Sequence, residues 1–167
     1  MQTGTGNSTI TTGAGDSTVT TNTGNNTITT GAGTSHIKTG AGLGNDTITT
    51  GAGDAVVDSG IGNDTVTTGA GDDTVTYHYT GNVGTHSVFN GGAGMDTLKL
   101  VMTSAEYENA ELQNDLTNYK EFLEHGMGAN GEDAYTFTTF GLTASMFEHL
   151  LVKVGDIYVI GIDPDAV

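Results

Sequence analysis

A nine-residue unit recurs along the first hundred residues, and it restricts the fold more than any other feature of the chain. Each unit reads as a small residue, Gly or Asn, any residue, Gly, two polar residues, any residue, an aliphatic residue and any residue. A unit this short cannot bury a face alone, so successive units are expected to stack into a solenoid. Regular units begin at Thr3, Thr12, Thr21, Thr30, Thr50, Ser59 and Thr68. The unit from Thr39 is longer, and we assign its two extra residues to Leu43 and Gly44.

The eighth position of the unit is always β-branched, and its neighbours are polar or small except for Val56. This alternation predicts a very short strand with one side chain pointing inward. The glycines before it permit a positive φ and predict a tight turn. The eighth-position residues are Ile10, Val19, Ile28, Ile37, Ile48, Val57, Val66 and Val75.

Alternate units resemble each other more than neighbouring units do. We call the units from Thr3, Thr21, Thr39 and Ser59 the odd series and the others the even series. The fifth position is always Asn in the odd series, whereas the third position is always Ala in the even series. Two units therefore form one coil of 18 residues with two turns and two strands. The predicted fold is all-β, a parallel β-roll with a small α+β cap at the C-terminal end.

The charge balance points to cations as partners. The chain has 4 Lys plus Arg against 20 Asp plus Glu, a formal net charge of −16, which repels nucleic acid. Cysteine is absent, which excludes disulfides and thiolate chemistry. No apolar run reaches the ~18 residues of a membrane span, and the first residues do not resemble a cleavable signal peptide. Export would therefore need another signal, or the chain is an excerpt of a longer protein.

The turns carry a recognisable motif. The segment GGAGMDTLK at 91–99 matches all the fixed positions of the nonapeptide G-G-x-G-x-D-x-U-x, and the segments at 59–67 and 68–76 match except for the first glycine. Over residues 3 to about 99 the chain therefore resembles the RTX calcium-binding proteins, which are parallel β-rolls. The resemblance implies that turn carbonyls and sixth-position Asp side chains of neighbouring coils share Ca²⁺ ions. Calcium also suits the chemistry, because it accepts six to eight oxygen ligands in flexible geometry.

Acidic residues at the sixth position are confined to the later units. Asp46 and Asp64 are consecutive in the odd series. Asp73 and Asp96 can pair only if the segment between them supplies one odd unit, with His86 in the place of the Asp. Several Ca²⁺ ions are therefore expected in coils after residue 42, and the early coils are expected to rely on Asn and Ser turns.

The predicted ligand set also contains fifth-position residues and turn glycines. For the fifth position a second interpretation stays open, namely solvated acids and structural stacking of asparagines. The additional predicted ligands are Asp54, Asp72, Asn45, Asn63, Gly60, Gly62, Gly69, Gly71, Gly92 and Gly94.

Paired threonines flank the inward aliphatic residue in the odd series without exception, whereas the even series is interrupted. Coils ~4.8 Å apart would turn these pairs into two columns of hydroxyls and methyls. This array resembles the T-x-T faces of solenoid ice-binding proteins and suggests binding to ice or to a regular polysaccharide surface. The alternative is that Thr is simply a soluble strand residue. The residues concerned are Thr9, Thr11, Thr27, Thr29, Thr47, Thr49, Thr65 and Thr67.

The repeat pattern ends near residue 100, and we divide the chain into a β-roll at 1–100 and a capping region at 101–167. One amphipathic helix is expected from an N-cap at Ser104 to a stop at Gly126. A strand at 134–140, a short helix at 143–150 and a hairpin turning at Gly155 and Asp156 should follow. This tail is similar in style to the C-terminal flank of proteins exported by type I secretion, which implies a secreted or cell-surface protein and contact with that machinery. The final residues resemble the start of a linker.

No catalytic arrangement stands out from the sequence. The chain has 5 His, but G-x-S-x-G and H-E-x-x-H motifs are absent. We therefore predict a calcium-binding module without enzymatic activity, which serves secretion, folding or spacing.

Overall fold

Two parallel sheets run the length of the molecule. The computed structural model describes residues 1–40, 42–125 and 134–162, and it places seven strands in each sheet. In spatial order, the odd sheet contains β1 (Thr9–Thr11), β3 (Thr27–Thr29), β5 (Thr47–Thr49), β7 (Thr65–Thr67), β9 (Val88–Asn90), β12 (Thr143–Ser145) and β11 (Ala134–Thr136). The even sheet contains β2 (Ser17–Thr20), β4 (Ser35–Lys38), β6 (Ala55–Asp58), β8 (Thr74–His78), β10 (Thr97–Met102), β13 (His149–Val154) and β14 (Ile157–Ile162). The predicted all-β parallel roll is confirmed.

The eighth-position residues set the register of both sheets. Each pairs with its counterpart in the next coil of the same series, as Ile28 does with Ile48 and Val57 with Val75. Their side chains form one buried aliphatic column behind each sheet, with exposed fractions of 3% or less. Shifting a strand by one residue would turn its aliphatic side chain out to solvent, so the column fixes the pairing.

The interior is more polar than the alternation of a single strand suggested. Besides the eighth position, the sixth and first positions of most units are buried, for example Asp64 at the sixth and Thr21 at the first. In most units, buried and exposed side chains therefore alternate over five to six residues: positions five, seven and nine are exposed, and positions six, eight and the first of the next unit are buried. The predicted short strand with one inward side chain is confirmed in the odd sheet, where only the middle residue of β1, β3, β5 and β7 is buried. The additional buried side chains lie at the ends of the turns, where the alternation continues.

The longer unit places its extra residues differently from the sequence-based assignment. Leu43 forms a bridge with Ile61 at the third position, and Gly44 lies against Gly24 at the fourth. Leu43 and Gly44 are therefore regular members of the unit, and the additional length falls before them. Leu43 is 84% exposed, so this large side chain lies outside the core.

Two helices follow the repeats where one was expected: α1 (Ser104–Tyr107) and α2 (Ala110–His125). Thr103, and not Ser104, is the N-cap of α1, in a capping box with Glu106. Asn109 separates the helices, because its Oδ1 accepts hydrogen bonds from the N–H groups of Glu111 (2.9 Å) and Leu112 (3.1 Å). The predicted stop at Gly126 lies outside the described residues.

Both sheets continue beyond residue 100. β12 adds in parallel to β9, and β13 adds in parallel to β10. The expected short helix at 143–150 was wrong, because the open edges of β9 and β10 offer backbone partners that override local helical preference. The expected strand at 134–140 ends at Thr136. The hairpin at Gly155 is confirmed by the antiparallel pairing of β13 with β14, and Gly155 has a φ of 57°.

The aliphatic column can be tested with two neighbouring valines of β6. Val57 is fully buried, whereas Val56 is 45% exposed. Val57→Ala should lower the free energy of unfolding by about 2 kcal/mol, through lost burial and a residual cavity. Val56→Ala should change it by less than about 0.5 kcal/mol. Urea denaturation in calcium compares the two, and equal effects would contradict the assigned register.

Candidate metal centre

The sixth-position side chains form one column along each edge of the roll. In the odd column, the Asn26 N–H donates to Asp46 Oδ1 (2.7 Å), and the Asp46 N–H donates to Asp64 Oδ1 (2.9 Å). In the even column, the Asp73 N–H donates to Asp96 Oδ1 (2.8 Å). Each side chain therefore bonds to the backbone of the coil before it. The stacking of strands places these carboxylates at about the 4.8 Å repeat of a sheet.

The four carboxylates of these columns are almost completely removed from water. Asp46 is 3% exposed, Asp64 and Asp73 are each 1% exposed, and Asp96 is 0% exposed. The Oδ2 atoms of Asp73 and Asp96 have no hydrogen-bond partner. Burial raises the pKa of the Asp64 carboxyl to about 6 and that of Asp96 to about 7, and it also raises the pKa of Asp73.

Lysine does not neutralise these columns in the described part of the chain. The lysine ion pairs found there go to Asp58, Glu124 and Asp156. Two carboxylates ~5 Å apart repel by about 3 kcal/mol at an effective dielectric constant of about 20. A buried column of this kind needs either protons or a cation from solution.

The available donor atoms fit a hard cation. They are carboxylate and backbone oxygens, which Ca²⁺ prefers, and two buried carboxylate oxygens have no other partner. Among the described residues, no three Asp, Glu or His side chains gather as a metal cluster. A cation at these edges would therefore take part of its ligand set from the turn carbonyls.

The glycine turns bring the backbones of successive coils into direct contact. A Cβ on Gly69 would lie 2.0 Å from the Gly51 carbonyl oxygen, and one on Gly94 would lie 2.0 Å from that of Gly71. Gly94 also has a φ of +145°, which other residues rarely adopt. The structure places the six predicted glycine ligands in these stacked turns at the two edges: Gly60, Gly62, Gly69, Gly71, Gly92 and Gly94.

The fifth-position residues lie on the outside of the same turns. Asn45, Asn63, Asp54 and Asp72 are exposed, and each side chain accepts an N–H from the next coil of its series. The Asn63 N–H donates to Asn45 Oδ1 (2.9 Å), for example. This ladder supports the structural interpretation of the fifth position. Metal binding by these four residues stays a prediction.

The irregular segment before β9 supplies the odd unit that Asp73 and Asp96 require. β9 pairs with β7, and the direct hydrogen bond between Asp73 and Asp96 shows that they occupy successive even coils. The position given to His86 was wrong. The Asp64 N–H donates to Ser87 Oγ (3.1 Å), so Ser87 holds the sixth position, and His86 holds the fifth. The segment between the repeats is long enough to shift its register by one residue, which the sequence alone did not resolve.

The early coils fill the same columns with neutral groups. Ser17 Oγ donates to Thr12 Oγ1 (2.8 Å), and Ser35 Oγ donates to Thr30 Oγ1 (2.8 Å). In these two even units the first-position hydroxyl thus closes the turn onto the sixth position, a role that sequence reasoning missed. The recurrence of Thr or Ser at the first position was the signal for it. A second missed residue is Glu148, whose Oε2 accepts the Asp96 N–H (2.7 Å) at the end of the even column.

The threonine array is present on the odd sheet. All eight threonines are exposed and lie in register as two columns across β1, β3, β5 and β7. β9 ends the array with Val88 and Asn90 at the equivalent positions. The even sheet instead carries charge, since Lys38 Nζ and His78 Nε2 lie 2.6 and 3.0 Å from the Asp58 carboxylate.

Stacked 18-residue coils with glycine turns and buried acidic columns define a calcium-binding β-roll. The model of the RTX calcium-binding nonapeptide repeat matches residues 2–37 and 40–75 in four copies, which confirms the predicted resemblance to that family over this part of the chain. The match ends before the turn at 91–96. Searches of curated proteins and of solved structures find no match. None of the described helices is long and apolar enough to span a membrane.

The close stacking of the turns can be tested with two second-position glycines. A Cβ on Gly69 would collide with Gly51, whereas one on Gly13 would meet no atom within 4 Å. Gly69→Ala should lower the free energy of unfolding by about 1–3 kcal/mol, because the Gly51 backbone must move. Gly13→Ala should be nearly neutral. Thermal unfolding of both variants is the measurement, and an equally neutral Gly69→Ala would contradict the stacking.

Proposed function

We propose that the chain is a calcium-ordered β-roll of an exported protein, in which the later coils bind the ions and the early coils need none. The observation that carries this proposal is the pair of buried, unpartnered carboxylate oxygens on Asp73 and Asp96. Buried polar atoms nearly always have a partner, so these oxygens indicate binding of a cation. The neutral hydroxyl pairs of the early coils lack such oxygens at the sixth position.

Two sets of residues would hold the ions. On the odd edge they are Asp46 and Asp64 with the turn of Gly60 and Gly62. On the even edge they are Asp73 and Asp96 with the turns around Gly69, Gly71, Gly92 and Gly94. Calcium supplies two positive charges and accepts six to eight oxygens, which matches carboxylates and carbonyls brought together by glycine turns.

The chain's own residues couple this binding to folding. Without a cation, the columns of carboxylates repel each other and resist burial, so the later coils lose stability. With a cation, the same carboxylates hold successive turns in register, and binding free energy becomes folding free energy. A roll of this kind would stay loose at low calcium and order at high calcium.

Such a switch suits a module that crosses a membrane unfolded. We propose a secreted or cell-surface location, export by type I machinery, and a role in secretion, folding or spacing of a larger protein. The absence of cysteine and the acidic composition support this, since the module would owe its stiffness outside the cell to calcium instead of disulfides.

A calcium titration followed by circular dichroism tests the proposal. Wild-type protein in excess chelator should have less strand signal than in calcium. Asp73→Asn should weaken one calcium-binding step about tenfold or more, because it removes a charged ligand while keeping the shape of the side chain.

Asp16→Asn is the matched control for this substitution. Asp16 is an exposed fifth-position acid of an early coil, and Asn can still accept the Thr34 N–H there. Its calcium titration should equal that of the wild type. Unchanged structure of the wild type in excess chelator, or equal behaviour of the two variants, would contradict the proposal.

A second candidate function rests on the odd sheet. Its eight threonines form an exposed, regular array, whereas the even sheet presents charges. Such an array of methyls and hydroxyls matches a periodic surface, and its candidate ligands are ice and a regular polysaccharide.

Thermal hysteresis distinguishes this function from mere solubility of the strands. Thr47→Tyr should abolish any activity of the wild type, because the ring interrupts the array without touching the acidic columns. His36→Tyr places the same ring at an exposed position of the even sheet and should leave the activity unchanged. A wild type without thermal hysteresis would remove the ice hypothesis.

A further inference from the structure

The C-terminal segment joins the roll by imitating one more even coil. β13 pairs with β10 so that His149 lies opposite Thr97 and Leu150 opposite Leu98. In this register Glu148 lies opposite Asp96 and takes the sixth position. It follows Asp73 and Asp96 in the even column, although no nonapeptide motif surrounds it.

The turn that leads to Glu148 is much shorter than the glycine turns. Residues 91–95 separate β9 from Asp96, whereas only Met146 and Phe147 separate β12 from Glu148. Met146 has a φ of 56°. Glu is longer than Asp by one methylene, and its Oε2 reaches back to the Asp96 N–H at 2.7 Å. The Glu148 N–H donates in turn to the Asp96 carbonyl (3.1 Å).

Asp96 has an oxygen that this contact leaves without a partner. Its Oδ1 accepts the Asp73 N–H, while its Oδ2 has no hydrogen bond although the residue is 0% exposed. That Oδ2 lies 2.8 Å from the point that a Cβ on Gly91 would occupy. The carbonyl oxygen of Met146 lies 1.9 Å from the same point, so the two oxygens are close neighbours.

Gly91 explains why these two oxygens can approach each other. In the early even coils the first position is a threonine whose hydroxyl bonds to the sixth-position side chain, as Thr12 does with Ser17. Gly91 has neither that hydroxyl nor a Cβ, which would collide with both oxygens. A buried carboxylate oxygen and a carbonyl oxygen therefore lie close together beside Gly91, and a second carboxylate is bonded to the Asp96 backbone next to them.

We propose that Asp96, Glu148 and the Met146 carbonyl form a divalent-cation site that fastens the C-terminal segment to the last glycine turn. The site lies outside the matched repeats and is built on a shortened turn that has no glycines. It rests on the proposed function for the identity of the ion, and it shares Asp96 with the even-edge set, so the Asp96 carboxylate would bridge two ions. Its role is to make docking of β13 and β14 depend on the same ion as the roll.

Glu148→Gln separates this role from a purely structural one. The amide oxygen of Gln can still accept the Asp96 N–H, so the variant removes the charge and keeps the hydrogen bond. Calorimetric calcium titration of the full chain should show one ion fewer, or one step weakened about tenfold or more. Glu121→Gln, the same change at an exposed position of α2, should titrate like the wild type.

Urea denaturation of Glu148→Gln with and without calcium adds a second test, because the expected shift of the midpoint differs between the two conditions. In chelator, Glu148→Gln should unfold at the same or a higher urea concentration than the wild type, because a like charge has been removed from the column. In saturating calcium it should unfold at a lower concentration than the wild type. A purely structural Glu148 would move both midpoints in the same direction, which would overturn the inference.

A measurement on the wild type does not depend on the folding of any variant. With a paramagnetic lanthanide in place of calcium, the amide NMR signal of Met146 should broaden at least as strongly as that of Asp73, which belongs to the even-edge set one coil away. If the Asp73 signal broadens and the Met146 signal broadens distinctly less, the junction site is refuted while the proposed function stands. If the wild type binds no calcium at all, the proposed function itself fails.

Discussion

Most of the structure depends on one contact between successive coils: the backbone N–H at the sixth position donates to the sixth-position side chain of the next coil. The exceptions are Ser17 and Ser35 of the early even coils, whose N–H groups donate to backbone carbonyls. Whether that sixth-position side chain is neutral or charged decides whether the coil needs a cation. Where it is Ser or Asn, the contact is complete within the protein, as in the Ser8 N–H that donates to Asn26 Oδ1 (3.1 Å). Where it is Asp, the contact brings a charge into the interior, and no lysine of the described residues pairs with it. The same geometry therefore gives early coils that are stable without an ion and later coils whose stability depends on cations in the solvent.

The repeat pattern was sufficient to predict the parallel sheets, the two series of turns and the aliphatic columns, because residues at equal positions of a solenoid meet the same neighbours. The repeat pattern did not predict the contacts of side chains at the ends of the turns. The hydroxyl of Thr12 reads as a polar loop residue, yet it closes its turn onto Ser17. The assignment of His86 failed for a related reason, since a long irregular segment can reach the same strand in either of two registers that differ by one residue.

The C-terminal region shows the opposite balance between local preference and surroundings. The segment at 143–150 has helical character, but the roll presents two open sheet edges at this point, and their unpaired backbone groups select strands instead. Aromatic side chains then fill the wider interior behind the last coils, where Tyr77, Phe89 and Phe140 pack together. The helix break at Asn109 was predictable in principle, since Asn is a strong N-cap, but the helical spacing on both sides concealed it.

The two hydrogen-bond ladders at each edge run in opposite directions along the roll. Fifth-position side chains accept from the following coil, whereas sixth-position side chains accept from the preceding one. The two ends of a coil along the roll axis therefore differ, and each coil forms hydrogen bonds with the coils on both sides, as a monomer does in a filament. Because the two series carry different turns, such a roll can grow or shrink during evolution only by whole coils of 18 residues. A gain or loss of a single nonapeptide would bring the asparagine turns of the odd series against the alanine turns of the even series and would exchange the threonine face for the charged one.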